Sequence, residues 1–254
     1  MAQIITLTSD FGSGYYVGEM KGVIKKVSPQ VELIDITHHV SRHDTAEGAF
    51  ILSRIWRHFP KNTIHVAVID PGVGTDRRGV AVETDYCFLI GPDNGLLRWA
   101  LMGQSIVRIV ELDVQVIQQR TGLGQVSSTF HGRDVFAPAA ALLSKGVDLG
   151  NLGRRINDIK GLDIREDTVV HVDGFGNVVT TIAKEIPAGS KVKVYHGARQ
   201  YEAVSVKTYA EAEVGRIVVL SGSHGLIEVG LNMGSAAEKL GIAVGDKIRV
   251  EHAD

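Results

Sequence analysis

Cysteine is nearly absent: Cys87 is the one thiol in 254 residues. A single thiol excludes an internal disulfide framework. It lies in the apolar run Tyr86-Cys87-Phe88-Leu89-Ile90 and reads as a buried, inert sulfur rather than a nucleophile. Proline is scarce, at 6 residues. Even with 29 glycines the pair stays below the roughly 25–30% of a low-complexity chain. No apolar stretch approaches the roughly 18 residues of a membrane span. Neither sign of charge dominates: 27 Lys and Arg stand against 29 Asp and Glu, a formal charge of −2. A nucleic-acid partner is therefore not expected, because such binders carry a basic excess. The start, MAQIITLTSDFG, turns polar too soon for a secretory signal. A soluble, cytoplasmic protein with no membrane association is the expectation.

What is present is ordinary globular material, 44% hydrophobic and 22% charged. The first half alternates strand-like and helix-like segments. Ile4–Thr8, Val31–Ile36, Thr63–Ile69, Val80–Glu83, Cys87–Ile90 and Ile106–Leu112 read as strands. Val17–Lys26, Asp44–His58 and the Ala-rich Asp134–Leu143 read as helices, with Asp44 as N-cap and Glu47 three residues on. This rhythm predicts an α/β domain with a largely parallel sheet. From about Thr168 the strands are short and separated by turn signals such as Asp173-Gly174, Ala188-Gly189 and His196-Gly197. That pattern predicts a smaller C-terminal β-barrel or sandwich. The expected domains are 1–155 and 166–254.

Parallel sheets bind ligands beyond the carboxyl ends of their strands, and three motifs fall there. In Ser9-Asp10-Phe11-Gly12, Asp10 either accepts hydrogen bonds from a vicinal diol such as a ribose or simply caps a turn. In Asp70-Pro71-Gly72-Val73-Gly74-Thr75-Asp76-Arg77, Asp70 and Arg77 flank a glycine-rich loop. They form either a structural ion pair or an ionised carboxylate aimed at a water. The loop lacks the Lys-Ser/Thr ending of a P-loop. In Thr129-Phe130-His131-Gly132, His131 precedes a helix with open space beside it. It is either a structural histidine or a proton carrier near neutral pH.

A fourth cluster, Thr37-His38-His39 with Arg42-His43-Asp44, offers metal-ligand types. The HExxH spacing is missing, and adjacent His38 and His39 tend to point apart, so no metal is expected. Asp173-Gly174-Phe175-Gly176-Asn177 is a turn that could also wall a purine pocket.

Taken in order, seven segments resemble one family. They are TLTSDFG with YVGEMKGVI, THHVSRHD, VIDPGVGTDRR, PDNGL, SSTFHGRDVFAPAA, DGFGNVVT and SGSHGLIEVGLNMGSAAE. The chain resembles the S-adenosylmethionine (SAM) hydroxide adenosyltransferases, relatives of the bacterial fluorinase and chlorinase, over essentially its whole length. The resemblance implies an N-terminal α/β domain, a C-terminal β-barrel and a homotrimer with sites at subunit interfaces. It implies that Asp70, Arg77 and His131 form the hydrolytic triad, and that Asp10 takes the ribose hydroxyls. Phe175 and Asn177 would face the adenine, with Tyr209 as a second stacking face. The backbone at Leu231–Met233 would read the adenine edge. Asp173 and the turn Ser223–Gly225 would hold the methionine carboxylate and amine. His224 stands where the halogenases carry Arg, and Glu228 lies close by. Where this chain has Asp70 the halogenases carry an aromatic residue, and where it has Gly132 fluorinase carries Ser. An acid at the nucleophile position repels halide and orients water.

The implied reaction is attack of water at C5′ of SAM, giving adenosine and L-methionine, with the (R)-sulfonium epimer an attractive substrate. SAM is the substrate and no cofactor is expected. Two alternatives remain open at this level: a non-catalytic SAM or adenosine binder, and a metal-dependent hydrolase using His38, His39 and His43.

Overall fold

The computed structural model describes residues 3–253. The chain divides into two compact units, Met1–Asp163 and Ile164–Asp254.

The first unit is built on a seven-stranded sheet of β1 (Ile4–Ser9), β2 (Glu32–Thr37), β3 (Ile64–Val68), β4 (Gly79–Thr84), β5 (Phe88–Pro92), β6 (Ile106–Leu112) and β7 (Gly153–Ile156). Its order is β2-β1-β3-β5-β4-β6-β7. Strands of the first half read as unbroken apolar runs because both sheet faces are covered. Along β3, Val66 and Val68 face one core with Met20 and Ile24 of α1 (Tyr16–Val27). Ala67 and the following Ile69 face the other, with Leu52 of α2 (Thr45–Ile55). Helices α3 (Val114–Thr121) and α4 (Ala137–Ser144) complete the unit. Cys87 is 1% exposed, and burial pushes its thiol up to about 11. It is not an activated nucleophile.

The expected largely parallel sheet is corrected to a mixed one. β1 pairs parallel with β2 and β3, and β3 with β5. β4 instead runs antiparallel to β5 and β6, and β6 to β7. The reason is chain length: β4 ends at Thr84 and β5 starts at Phe88. A parallel crossover needs about a dozen residues, so this short link can only close a hairpin.

The third predicted helix also begins differently. Gly132–Phe136 forms a wide π turn, with the Ala137 N–H bonded to the Gly132 carbonyl, before α4 starts. Pro138 explains it. A proline has no N–H to give and clashes with the carbonyl four residues back, so the turn widens.

The second unit is also a seven-stranded sheet, of order β14-β10-β11-β12-β13-β9-β8. Its strands are β8 (Val169–Val172), β9 (Val178–Thr180), β10 (Lys191–His196), β11 (Arg199–Ser205), β12 (Ile217–Ser221), β13 (Ile227–Leu231) and β14 (Ile248–His252). Its pairings are antiparallel except β11 with β12. The expected β-barrel is a curled half-barrel: Thr168 and Lys247, just ahead of the two edge strands, join in a single antiparallel bridge. Inside the curl lie Val192, Val194, Val219, Val229 and Leu240 of α5 (Ala236–Leu240).

Candidate active site

The parallel pairing of β1 and β3 brings their carboxyl ends to one edge of the first unit. Asp10 follows β1, Asp70 follows β3 and Arg77 precedes β4, while His131 opens the π turn. A pocket of about 330 Å3 there is lined by Asp10, Asp70 and His131, with Phe11, Tyr16 and Phe130 as aromatic walls. The three rings support one another, Phe130 standing edge-on to Phe11 at 5.6 Å and to Tyr16 at 5.3 Å.

Arg77 grips Asp70 in a fork. Its Nε donates to Oδ1 at 2.9 Å and its Nη2 donates to Oδ2. The same Nη2 lies 2.8 Å from His131 Nδ1. A guanidinium has only donors, so Nδ1 accepts, and the neutral ring carries its hydrogen on Nε2. Burial, and then the Arg77 charge, push the His131 pKa below its ordinary 6.5, against smaller opposing effects of Asp70 and Asp134. The imidazole is therefore neutral at pH 7. The Asp70 and Arg77 side chains are each 6% exposed. Removing one member of so buried a pair strands the other, which typically costs about 3–5 kcal/mol. Arg77 also lies 5.3 Å over the Phe136 ring.

Glycine matters at one point in this loop. Gly74 has φ +78°, and a Cβ there would lie 2.4 Å from the Ser128 carbonyl oxygen. Only glycine lets the loop after β3 approach the segment carrying His131 so closely.

Asp10 is not a helix cap, since α1 begins from Tyr15 without a side-chain cap. Its Oδ2 accepts the His43 N–H at 2.9 Å. Of the metal-type histidines, His38 bonds Ser9 Oγ through Nδ1 at 2.7 Å, and the His43 ring sits 4.0 Å from Asp10. Among the described residues no group of three His, Cys, Asp or Glu side chains could hold a metal ion.

The second unit has its own pocket, of about 620 Å3, lined by Phe175, Asn177, Tyr209, Leu231 and Met233. Two expected site residues, Phe175 and Met233, are largely exposed. Gly230 makes room for the others: a Cβ there would meet Tyr209 Cε1 at 2.5 Å and Asn177 Oδ1 at 3.1 Å. Asp173 turns inward on its own loop, Oδ1 accepting the Phe175 and Asn177 N–H groups and Oδ2 the Asn177 amide. It organises the turn that presents Phe175. Glu228 bridges two neighbours: Oε1 accepts the Tyr209 hydroxyl, and Oε2 lies 3.3 Å from His224 Nε2. His224 Nδ1 accepts the Leu226 N–H at 3.2 Å, so both ring nitrogens are engaged within the protein. Burial, and then Glu228, push the Tyr209 phenol well above its ordinary value. Ser223 is exposed in the adjoining turn.

The sequence reading missed Tyr16 and Phe130 as pocket walls and Arg42 and His43 as pocket-lining side chains. An aromatic residue directly before the His131-Gly132 motif was the available signal for Phe130.

An acid held rigid by a guanidinium, a neutral imidazole and a second acid converge on one pocket, with no Ser or Cys in its lining. Residues 5–153 match the SAM hydroxide adenosyltransferase N-terminal domain and residues 167–249 the C-terminal domain of the same family. The chain belongs to the SAM hydroxide adenosyltransferase family. It is 34% identical to the (R)-S-adenosyl-L-methionine hydrolase of Methanocaldococcus jannaschii, over 97% of this chain and 95% of the relative. A more distant relative is the fluorinase of Nocardia brasiliensis, at 27% identity over 98% of this chain and 96% of that one. A crystal structure of a conserved protein from Thermotoga maritima superposes with a TM-score of 0.89 at 31% identity, covering 98% of this chain and all of that one.

Proposed function

We propose that the protein hydrolyses S-adenosyl-L-methionine, the (R)-sulfonium epimer in particular, to adenosine and L-methionine. The observation that carries this reading is the Asp70–Arg77–His131 cluster on the pocket that also holds Asp10. The relatives named for this hydrolysis support it.

In the proposed reaction a water oxygen forms a bond to C5′ of the ribose. The C5′–S bond breaks, and sulfur keeps its electron pair and leaves as the neutral thioether of methionine. The sulfonium is already an excellent leaving group, so no acid is required there. The site supplies alignment, worth up to roughly 7–11 kcal/mol in the best cases, and a place for the water's proton. Asp70 is that acceptor. His131, whose Nδ1 is taken by Arg77, acts on the water as a donor through Nε2–H. Proton removal of this kind contributes typically about 10²–10⁴-fold. Asp10 holds the ribose diol. Phe175, Asn177, Tyr209 and the Leu231–Met233 backbone take the adenine, and Ser223 faces the methionine end, with Asp173 and His224, whose polar atoms are engaged within the protein, shaping that end rather than bonding the ligand.

No metal or organic cofactor takes part in this reading. We also propose a soluble, cytoplasmic homotrimer with active sites at subunit interfaces. The exposed Phe175 and Met233 support it, and sedimentation equilibrium tests it.

The test of the reaction is incubation with each SAM epimer in ¹⁸O-water with EDTA, followed by mass spectrometry. Adenosine carrying one ¹⁸O at C5′ beside unlabelled methionine is expected, faster for the (R) epimer. Intact SAM would favour a binding protein instead, and loss of turnover in EDTA would revive the histidine cluster.

A further inference from the structure

The histidine-rich motif between β2 and α2 has no part in the reaction described above, yet it is tied to Asp10 by a set of convergent bonds. His38 Nδ1 lies 2.7 Å from Ser9 Oγ, and the His38 carbonyl accepts the Gly12 N–H at 2.7 Å. The Val40 N–H reaches the Ser9 carbonyl at 3.4 Å, and the His43 N–H reaches Asp10 Oδ2 at 2.9 Å. The residues before, at and after Asp10 are thus all held by one loop.

That loop is anchored at both ends. Toward β2, His38 Nε2 lies 3.1 Å from Asp35 Oδ1, at ion-pair distance rather than in a straight hydrogen bond. Asp35 in turn bonds Lys21 of α1. Toward α2, Asp44 caps the helix by accepting the Glu47 N–H, and Glu47 Oε2 accepts the Ser41 N–H at 2.7 Å. His43 sits at φ +65°, a left-handed conformation that a non-glycine residue holds only when its surroundings fix it. Ser9 is 1% exposed, so the Ser9–His38–Asp35 array has no access to a ligand and is not a nucleophilic triad.

We propose that the 38–43 loop is a clasp that positions Asp10, with His38 as its central positioning residue, so that the carboxylate meets both hydroxyls of a vicinal diol. The proposal rests on Asp10 as the ribose contact. One oxygen is held from behind by the His43 N–H. The strand end is pinned by His38 through Ser9 Oγ and the Gly12 N–H. A carboxylate held this way offers its remaining lone pairs in a fixed direction, the condition for accepting two hydrogen bonds at once. Without the His38 ring the end of β1 keeps its ladder to β2 and β3 and the backbone bonds from Gly12, Val40 and His43, but it loses the side-chain bond that fixes Ser9 directly before Asp10.

The experiment compares dissociation constants of the whole protein for adenosine and for 2′,3′-dideoxyadenosine, which differ only in the diol. In the wild type adenosine should bind tighter by about tenfold or more, the worth of one charge-assisted hydrogen bond. H38A should bring that ratio to within about twofold of unity through weaker adenosine binding, with dideoxyadenosine affinity unchanged. H38N, which returns a hydrogen-bonding atom near the Nδ1 position, should restore most of the ratio. S9A removes the same bond from the other side and should act as H38A does, which keeps the test open if H38A fails to fold. H39A, at an exposed neighbour, should leave the ratio unchanged. A wild-type ratio retained in folded H38A or S9A overturns the clasp alone. A wild-type protein indifferent to the diol overturns Asp10 as the ribose contact, and the clasp with it.

Discussion

Asp70 and Arg77 in the first unit are 6% exposed, whereas Phe175 and Met233 in the second are 81% and 84% exposed. In the proposed reaction the two pockets solve different problems. In the first, charged groups are buried on strand ends and consume one another's hydrogen-bonding capacity, which fixes their direction. In the second, apolar side chains stand on β-turns, and polar groups such as Asp173 and Glu228 are spent inside the protein to hold those turns. Chemistry needs atoms held to a fraction of an ångström. Recognition of a flat, apolar ring needs surface.

That contrast can be broken most sharply at Asp70. D70N should reduce SAM turnover by about 10²–10⁴-fold while ligand affinity stays within a few-fold. Single-turnover rates and calorimetry on the same preparation check it. Equal losses in both would place Asp70 in binding rather than in chemistry. The pH profile sharpens the same point. The depressed pKa of His131 keeps the ring neutral to below its ordinary 6.5, so kcat should hold steady as pH drops through that value and decline only below it.

A stability difference should follow from His65. It is fully buried in β3, bonded through Nδ1 to Thr6 Oγ1 at 2.7 Å, and its Nε2 has no hydrogen-bond partner. Burial pushes its pKa down from 6.5 to about 4. The unfolded chain takes up this proton first, so stability is full above about pH 6.5 and is lost as pH falls toward 4. The ceiling is about 3 kcal/mol at about 1.36 kcal/mol per unit. Both tryptophans, Trp56 and Trp99, lie in the first unit, so their fluorescence reports its unfolding alone. The urea midpoint should fall between pH 7 and pH 5, and His65→Asn should flatten that dependence. An unchanged slope in the variant would remove His65 as the cause.

The smallest effect is expected on the recognition side. Phe175→Ala should weaken SAM binding by about 1–3 kcal/mol, the usual worth of one base–aromatic stack, with kcat nearly unchanged. A loss confined to kcat would mean that the exposed turn takes part in the chemistry after all.

Several of these elements were legible in the amino-acid order. The strand-end motifs at Asp10 and Asp70 and the motif at His131 stood out because buried strands are unbroken apolar runs and the polar residues that follow them are conspicuous. The Asp44 cap was legible from its spacing to Glu47, although Glu47 reaches back to Ser41 rather than to Asp44 itself. The antiparallel turn between β4 and β5 was legible too, in the link of three residues between them, although a doubly covered strand by itself looks alike in either direction. The π turn before α4 was hidden because Pro138 is compatible with an ordinary helix start as well.

The amino-acid order alone determined most strands and helices of the first unit, though not α3 or β7, the change of character from about Thr168, and which acids and histidines follow buried strands. These are local consequences of periodicity and turn chemistry. Only the tertiary structure decided that Arg77 links Asp70 to His131, 54 positions beyond the arginine, and that His38 bonds Ser9 across 29 positions in the chain. Each depends on where a donor and an acceptor distant in sequence come to rest. Packing against the two faces of one sheet sets those places, and spacing along the chain does not encode them.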